Sequence, residues 1–115
     1  MISFDVIVIG GGPAGCAMAL DLNHRGYKVA LCDQAKFPRD KVCGEFISPG
    51  ADPILEQLGL LDSIEALSPK RLKGVAISSY ESEELEIDYP PSTQTDLKPS
   101  SLSVPRFELD ALFLE

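Results

Sequence analysis

Phe4-Asp5-Val6-Ile7-Val8-Ile9-Gly10-Gly11-Gly12-Pro13-Ala14-Gly15 is the stretch that decides the fold. After Asp5 it is a β-branched run without polar alternation, the pattern of a strand buried on both faces in a parallel sheet. The glycines match G-x-G-x-x-G. From Pro13 to Arg25 the apolar positions Ala14, Ala17, Met18, Leu20 and Leu22 take helical spacing, and Gly26 stands where a helix stops. Tyr27 to Asp33 is a second β-like run. Strand, helix and strand within some thirty residues predict a βαβ unit. Asp33 ends the second strand eighteen residues past Gly15, which completes the context that a dinucleotide fingerprint needs. Gly10 permits the tight turn, Gly12 lets backbone approach a pyrophosphate, and Gly15 lets the helix pack closely on the strand. The helix N-terminus, entered through Pro13 and Ala14, offers free N–H groups to a diphosphate. The Asp33 carboxylate would accept from ribose hydroxyls and disfavour a 2′-phosphate.

Working outward, residues 34–47 read as irregular. Ser48-Pro49 is a helix start, with the helix running to about Leu58 and stopped by Gly59. Asp62 to Leu67 is a further short helix. Gly74–Tyr80 and Leu85–Tyr89 are two strands joined by Glu81-Ser82-Glu83-Glu84; Glu86 and Asp88 fall on the outer face of a half-exposed strand. Residues 90–101 are a loop, Leu102–Pro105 is extended, and Arg106–Glu115 is a helix whose pattern runs to the last residue without a stop signal.

The 115 residues carry a formal charge of −8 and are 44% apolar, enough for one core. That charge argues against a nucleic-acid partner. Residues 1–58 hold seven acids and five bases, residues 59–115 eleven and five. An anionic ligand therefore belongs to the first half, where Lys36, Arg39 and Lys41 form the dense basic cluster. No apolar run is long enough to span a membrane, and no basic region precedes the first apolar stretch as in a secretory signal. Three cysteines at scattered spacing suggest no disulfide frame and a reducing compartment. The expected location is the cytoplasm, with peripheral membrane association left open. Cys16 and Cys32 read as core residues. Cys43 has no histidine or metal-spaced cysteine near it, and His24 reads as a surface residue.

Lys36-Phe37-Pro38-Arg39-Asp40-Lys41-Val42-Cys43-Gly44-Glu45, Leu58-Gly59-Leu60 and Val104-Pro105-Arg106-Phe107-Glu108-Leu109-Asp110 with Leu112 carry a family resemblance. With the glycine fingerprint and Asp33, they make the chain resemble the N-terminal part of the FAD-dependent monooxygenase superfamily typified by p-hydroxybenzoate hydroxylase. Within it, the branch holding geranylgeranyl reductases and flavin-dependent halogenases is most similar. The resemblance implies an α/β fold: a Rossmann-like FAD-binding βαβ lobe, then the start of a β-rich substrate-side lobe, the whole an incomplete domain. The implied segments are 1–72 for the FAD lobe, 73–105 for the first strands and loop of the second lobe, and 106–115 for a helix returning to the first.

It also implies roles. Gly10, Gly12, Pro13, Ala14 and Gly15 would face the FAD diphosphate, and Asp33 the adenosine ribose. Arg39 would lie against the adenosine end, Cys43 and Gly44 near the flavin ring, and Arg106 at the diphosphate and ribityl region. No residue is singled out as a catalytic acid or base. NAD(P)H would be the external reductant of the full-length relatives, and the small-molecule substrate is left unnamed. Two other readings stand beside this one, a truncated, non-catalytic dinucleotide-binding remnant and an NAD-binding module. The chain alone is expected to bind FAD weakly or not at all and to show no turnover.

Overall fold

Alternation of β-branched residues with glycine turns sets up the first unit of the computed structural model, which describes residues 1–80, 83–91 and 99–115. Strands β1 (Val6–Ile9) and β2 (Val29–Cys32) pair in parallel, Val6 opposite Val29 and Ile9 opposite Cys32. Helix α1 (Pro13–His24) makes the crossover between them. Gly26 ends it at φ 91, as a helix-stopping glycine should. This is the βαβ unit read from the sequence.

The next elements fold beside it. A 3-10 turn at Pro49–Ala51 leads into α2 (Asp52–Gln57), and Gly59 follows at φ 74. The Ser48 side chain makes no cap hydrogen bond, so proline rather than the serine hydroxyl sets this helix start. Helix α3 is Leu61–Ala66 and α4 is Arg106–Leu112. Arg71 closes the α2–α3 corner by ion pairs to Asp52 and Glu65.

Two strands appear that the sequence reading did not anticipate. Phe46–Ile47, placed in an irregular stretch, is β3, and Lys70–Leu72 is β4. Both pair antiparallel with β7 (Ser101–Ser103), giving a three-stranded sheet in the order β3-β7-β4. Strands of two or three residues are too short to show a period, and their pairing partner is far along the chain. Leu102 and Val104 bury themselves there with Cys16, Leu55, Ile64, Leu109 and Phe113, and this is the core. It ties the segment before α4 to α1, α2 and α3.

The remaining pair, β5 (Gly74–Ile77) and β6 (Leu85–Asp88), forms a separate antiparallel ribbon. Val75 faces Ile87 and Ile77 faces Leu85 on one side. Glu86 and Asp88 are exposed as expected, and so are Leu85 and Ile87. Of the joining turn, Glu81 and Ser82 lie outside the described residues, as do residues 92–98 of the expected loop.

Two expectations about burial are corrected. β1 is covered on one face only: Ile7 is 65% and Ile9 87% exposed. Cys32, read as core, is exposed, while Cys16, a residue of α1, is buried. The cause is common to both, since the parallel sheet has two strands and α1 packs against it. The molecule is correspondingly open. Its radius of gyration is 17.2 Å and its extents 65 × 32 × 22 Å, against about 13 Å for a compact domain of this length. Its surface of 8596 Å² exceeds the roughly 6,100 Å² of a compact chain of this mass. Among the described residues no helix is long and apolar enough to cross a membrane.

Candidate functional site: an anion seat at the glycine turn

The turn from β1 into α1 is built by three backbone facts. Gly10 takes φ 108, and its N–H donates to the Cys32 carbonyl at 2.7 Å, anchoring the turn on the next strand. A Cβ at Gly15 would stand 1.8 Å from the Gly10 carbonyl oxygen, so α1 can approach β1 only with glycine there. Gly12 caps α1 with backbone alone: no side chain accepts from the first turn, and no acid occupies it. Those N–H groups and the positive end of the helix are left for an anion.

Asp33 leaves β2 and turns back to this turn. Its Oδ2 accepts from Gly11 N–H at 2.7 Å and its Oδ1 from Ala35 N–H at 2.7 Å. These two amide donors, Ala35 first, hold its carboxyl below the usual carboxylate range. One lone pair on each oxygen remains to accept from a ligand. Asp33 also lines a cleft of about 410 Å³ with Gly10, Gln34, Ala35, Arg39 and Lys41.

Two arginines from distant parts of the chain meet over Gly12. The Nη2 atoms of Arg106 and Arg39 lie 3.7 and 3.8 Å from the position a Gly12 Cβ would occupy. Phe37 sits against Gly11 and carries the Arg39 guanidinium over its ring, 4.7 Å from the centroid. Arg39 Nη1 is buried without a hydrogen-bond partner. Arg106 donates from Nε to Asp110 Oδ1 at 2.6 Å and from Nη2 to Asp110 Oδ2 at 2.8 Å. Arg39 Nη1 stands 3.2 Å from the same Oδ2.

The structure thus gathers Gly10, Gly12, Asp33, Arg39 and Arg106 around one turn. Pro13 and Ala14 form the first turn of α1 and also line an apolar cleft of about 430 Å³ shared with Cys43, Ile47, Leu55 and Leu109. Gly44 borders open space. Sequence reasoning missed Asp110, Phe37 as a platform for Arg39, and the Gly11 amide as the donor to Asp33. The i, i+4 spacing of Arg106 and Asp110 was the available signal for the first. His24 is on the surface, as read.

Cys43 is exposed, and the Glu45 backbone N–H together with the Arg106 guanidinium pulls its thiol below the ordinary range. Burial, with Asp110 and Asp33 nearby, pushes the Cys16 thiol up. Alkylation by iodoacetamide, followed by peptide mapping, is expected to modify Cys43 well before Cys16. Its rate against pH should have a midpoint below that of glutathione. Arg106→Met should move that midpoint upward; an unmoved midpoint would show that the guanidinium does not act on the thiol.

The comparisons with known proteins give the family and the fold. The family model "FAD dependent oxidoreductase" (DAO) matches residues 5–91. Menaquinone reductase of Mycolicibacterium smegmatis is 38% identical over 107 residues, 92% of this chain and 24% of the relative. Squalene monooxygenase of Mus musculus is 36% identical over 87 residues, 75% of this chain and 15% of the relative. Among solved structures, the myxobacterial chondrochloren halogenase CndH superimposes with a TM-score of 0.84 at 30% identity, covering 96% of this chain and 25% of that one. The flavin-dependent halogenase CmlS gives 0.83 at 30% identity, covering 99% and 20%. The chain therefore spans between 15% and 25% of the length of these proteins. With that family match over most of its residues, and an α/β fold shared with halogenases, the chain belongs to the FAD-dependent oxidoreductase family.

Proposed function

We propose that this chain supplies the ADP-side half of an FAD site in a flavin-dependent oxidoreductase. One observation carries the reading: two guanidiniums and the uncapped N-terminus of α1 converge on Gly12, where a side chain is absent. Arginine forks suit phosphate oxygens, which accept two parallel donors. Arg39 Nη2, 3.8 Å from the position of a Gly12 Cβ, faces where such a ligand would lie, while Nη1 pairs with Asp110.

The residue roles follow from placement. Asp33 offers its free lone pairs to the adenosine ribose at the edge of its cleft. Gly12, Pro13, Ala14 and Gly15 give the diphosphate a helix end without side-chain obstruction, and Gly10 makes the turn that aims it. Arg39 reaches from the Asp33 cleft to Gly12, so it spans the adenosine end and the diphosphate. Arg106 covers the diphosphate from the other side and leads toward Cys43 and Gly44, which we place near the flavin ring. When bound, FAD supplies the redox chemistry, and the protein positions it and excludes water. Residues 1–72 and 106–115 make the cofactor lobe in this reading, and 73–105 begin the substrate-side lobe, with β7 stitched into the first.

The relatives' names cover reduction, oxygenation and halogenation, and we assign the flavin class without choosing among them. NAD(P)H as external reductant and a cytoplasmic location belong to the same proposal. Titration with ADP, FAD, NAD and NADP, followed by amide shifts of residues 10–16 and of Ala35, tests it. Shifts at Gly11, Gly12 and Ala35 are expected with ADP and FAD at comparable, weak affinity, with NADP weakest because its 2′-phosphate meets Asp33. Tighter binding of NAD than of FAD would overturn the reading in favour of an NAD module. Failure of ADP to bind would overturn the reading.

A further inference from the structure

Asp110 is fully buried, and a buried carboxylate survives only with charged or hydrogen-bonded partners. Its partners are the two arginines of the anion seat. They come from loops and helices 67 positions apart in sequence, Arg39 before β3 and Arg106 at the start of α4. Their side chains are 18% and 16% exposed, so water does little to hold them. Phe37 fixes the plane of Arg39 from the ring face, and Asp110 stands at its edge. For Arg106, Nε and Nη2 each donate to one Asp110 oxygen, which leaves Nη1 and the second hydrogen of Nη2 as donors.

We propose that Asp110 is the positioning residue of the seat, its buried carboxylate holding Arg39 and Arg106 together so that both forks face Gly12. This rests on the FAD reading. Two guanidiniums brought to one point repel each other, and long side chains lose rotamer freedom when a ligand fixes them. A carboxylate between them offsets the repulsion and meets the ordering cost before the anion arrives, the general benefit of preorganisation. The same residue ties α4 to the loop that carries Arg39, so formation of the core and formation of the seat are one event.

The sign of the effect separates positioning from simple charge. Asp110→Asn keeps the shape and removes a negative charge beside an anion site. Charge alone predicts tighter ADP binding; a purely structural role predicts lower thermal stability with unchanged ADP affinity at temperatures where the variant is folded. Positioning predicts ADP binding weaker by on the order of 10-fold, the lower end of what outer partners of ligating groups contribute elsewhere. It also predicts that Arg39→Met costs less in the Asp110→Asn background than in the wild type.

In the wild-type chain without ADP, nitrogen-15 spectra should show hindered rotation of both guanidiniums, a measurement that needs no variant to fold. Freely rotating Arg39 and Arg106 in the wild type would overturn the assignment. So would ADP binding by Asp110→Asn as tight as, or tighter than, the wild type. A wild-type chain that binds no ADP at all would overturn the cofactor reading and this assignment together, whereas the first two results overturn the assignment alone.

Discussion

Gly15→Ala is expected to abolish the fold of the first unit. The new Cβ would lie 1.8 Å from the Gly10 carbonyl oxygen and 3.0 Å from its carbon, with Val8 Cγ1 at 3.5 Å. The first two neighbours are backbone, so no side chain can swing aside. Relief requires α1 to lift from β1, which opens the packing over Cys16, or Gly10 to rotate out of its turn, which breaks the 2.7 Å bond to Cys32. Overpacking a well-packed site costs about 1–3 kcal/mol where neighbours adapt, and more where they cannot; a cost of at least about 3 kcal/mol is expected here. A chain with as much exposed surface as this one has little stability in reserve. Gly44→Ala and Gly50→Ala are the controls, because nothing lies within 4 Å of either Cβ position and neither residue takes a positive φ. Urea unfolding followed by circular dichroism should place both controls near the wild type and leave Gly15→Ala without a cooperative transition. A Gly15→Ala midpoint close to wild type would show that the close approach of α1 is not required.

The same turn marks where sequence was sufficient. Gly10, Gly15, Gly26 and Gly59 are each demanded by local backbone geometry or close approach, and local demands are written in local sequence. The βαβ unit was therefore legible, with its helix start and stop. The sheet β3-β7-β4 was not. Phe46–Ile47 and Lys70–Leu72 have no period to read, and they become strands because Ser101–Ser103 arrives between them from the far end of the chain. The one-sided burial of β1 was also hidden. Val6 to Ile9 has the composition of a doubly covered strand, yet coverage is a property of neighbours and not of the strand itself. In the site, the glycine turn and both arginines were legible as residues, but their meeting over Gly12 was not. That meeting depends on Asp110, whose burial comes from the core formed by Leu102, Val104, Leu109 and Phe113.

Arg106→Met is expected to cost about 3–5 kcal/mol, the usual penalty for stripping a partner from a buried ion pair. Asp110 would lose both of its aligned donors and, among the described residues, keep Arg39, at 3.2 Å and without hydrogen-bond alignment. The comparison that makes this informative is Arg25→Met. Asp21 and Arg25 also form an i, i+4 pair on a helix, at 2.8 Å, but with the Arg25 side chain 65% and the Asp21 side chain 35% exposed. An exposed pair of that kind is worth about 0–1 kcal/mol. Helix electrostatics rank the two pairs the other way: an acid preceding its base suits the helix dipole, as in Asp21–Arg25, and Arg106–Asp110 runs in reverse. Local preference therefore cannot account for a large cost at Arg106; desolvation of Asp110 can. Arg106→Lys should recover little, because a single ammonium cannot supply two parallel donors. Arg106→Met combined with Asp110→Leu should regain part of the loss, since an apolar pair leaves no charge buried. Chemical unfolding of the four variants decides the matter. Equal costs for Arg106→Met and Arg25→Met would mean that Asp110 finds water or another partner. A full loss that the double variant does not relieve would place the cost in packing and not in the buried charge.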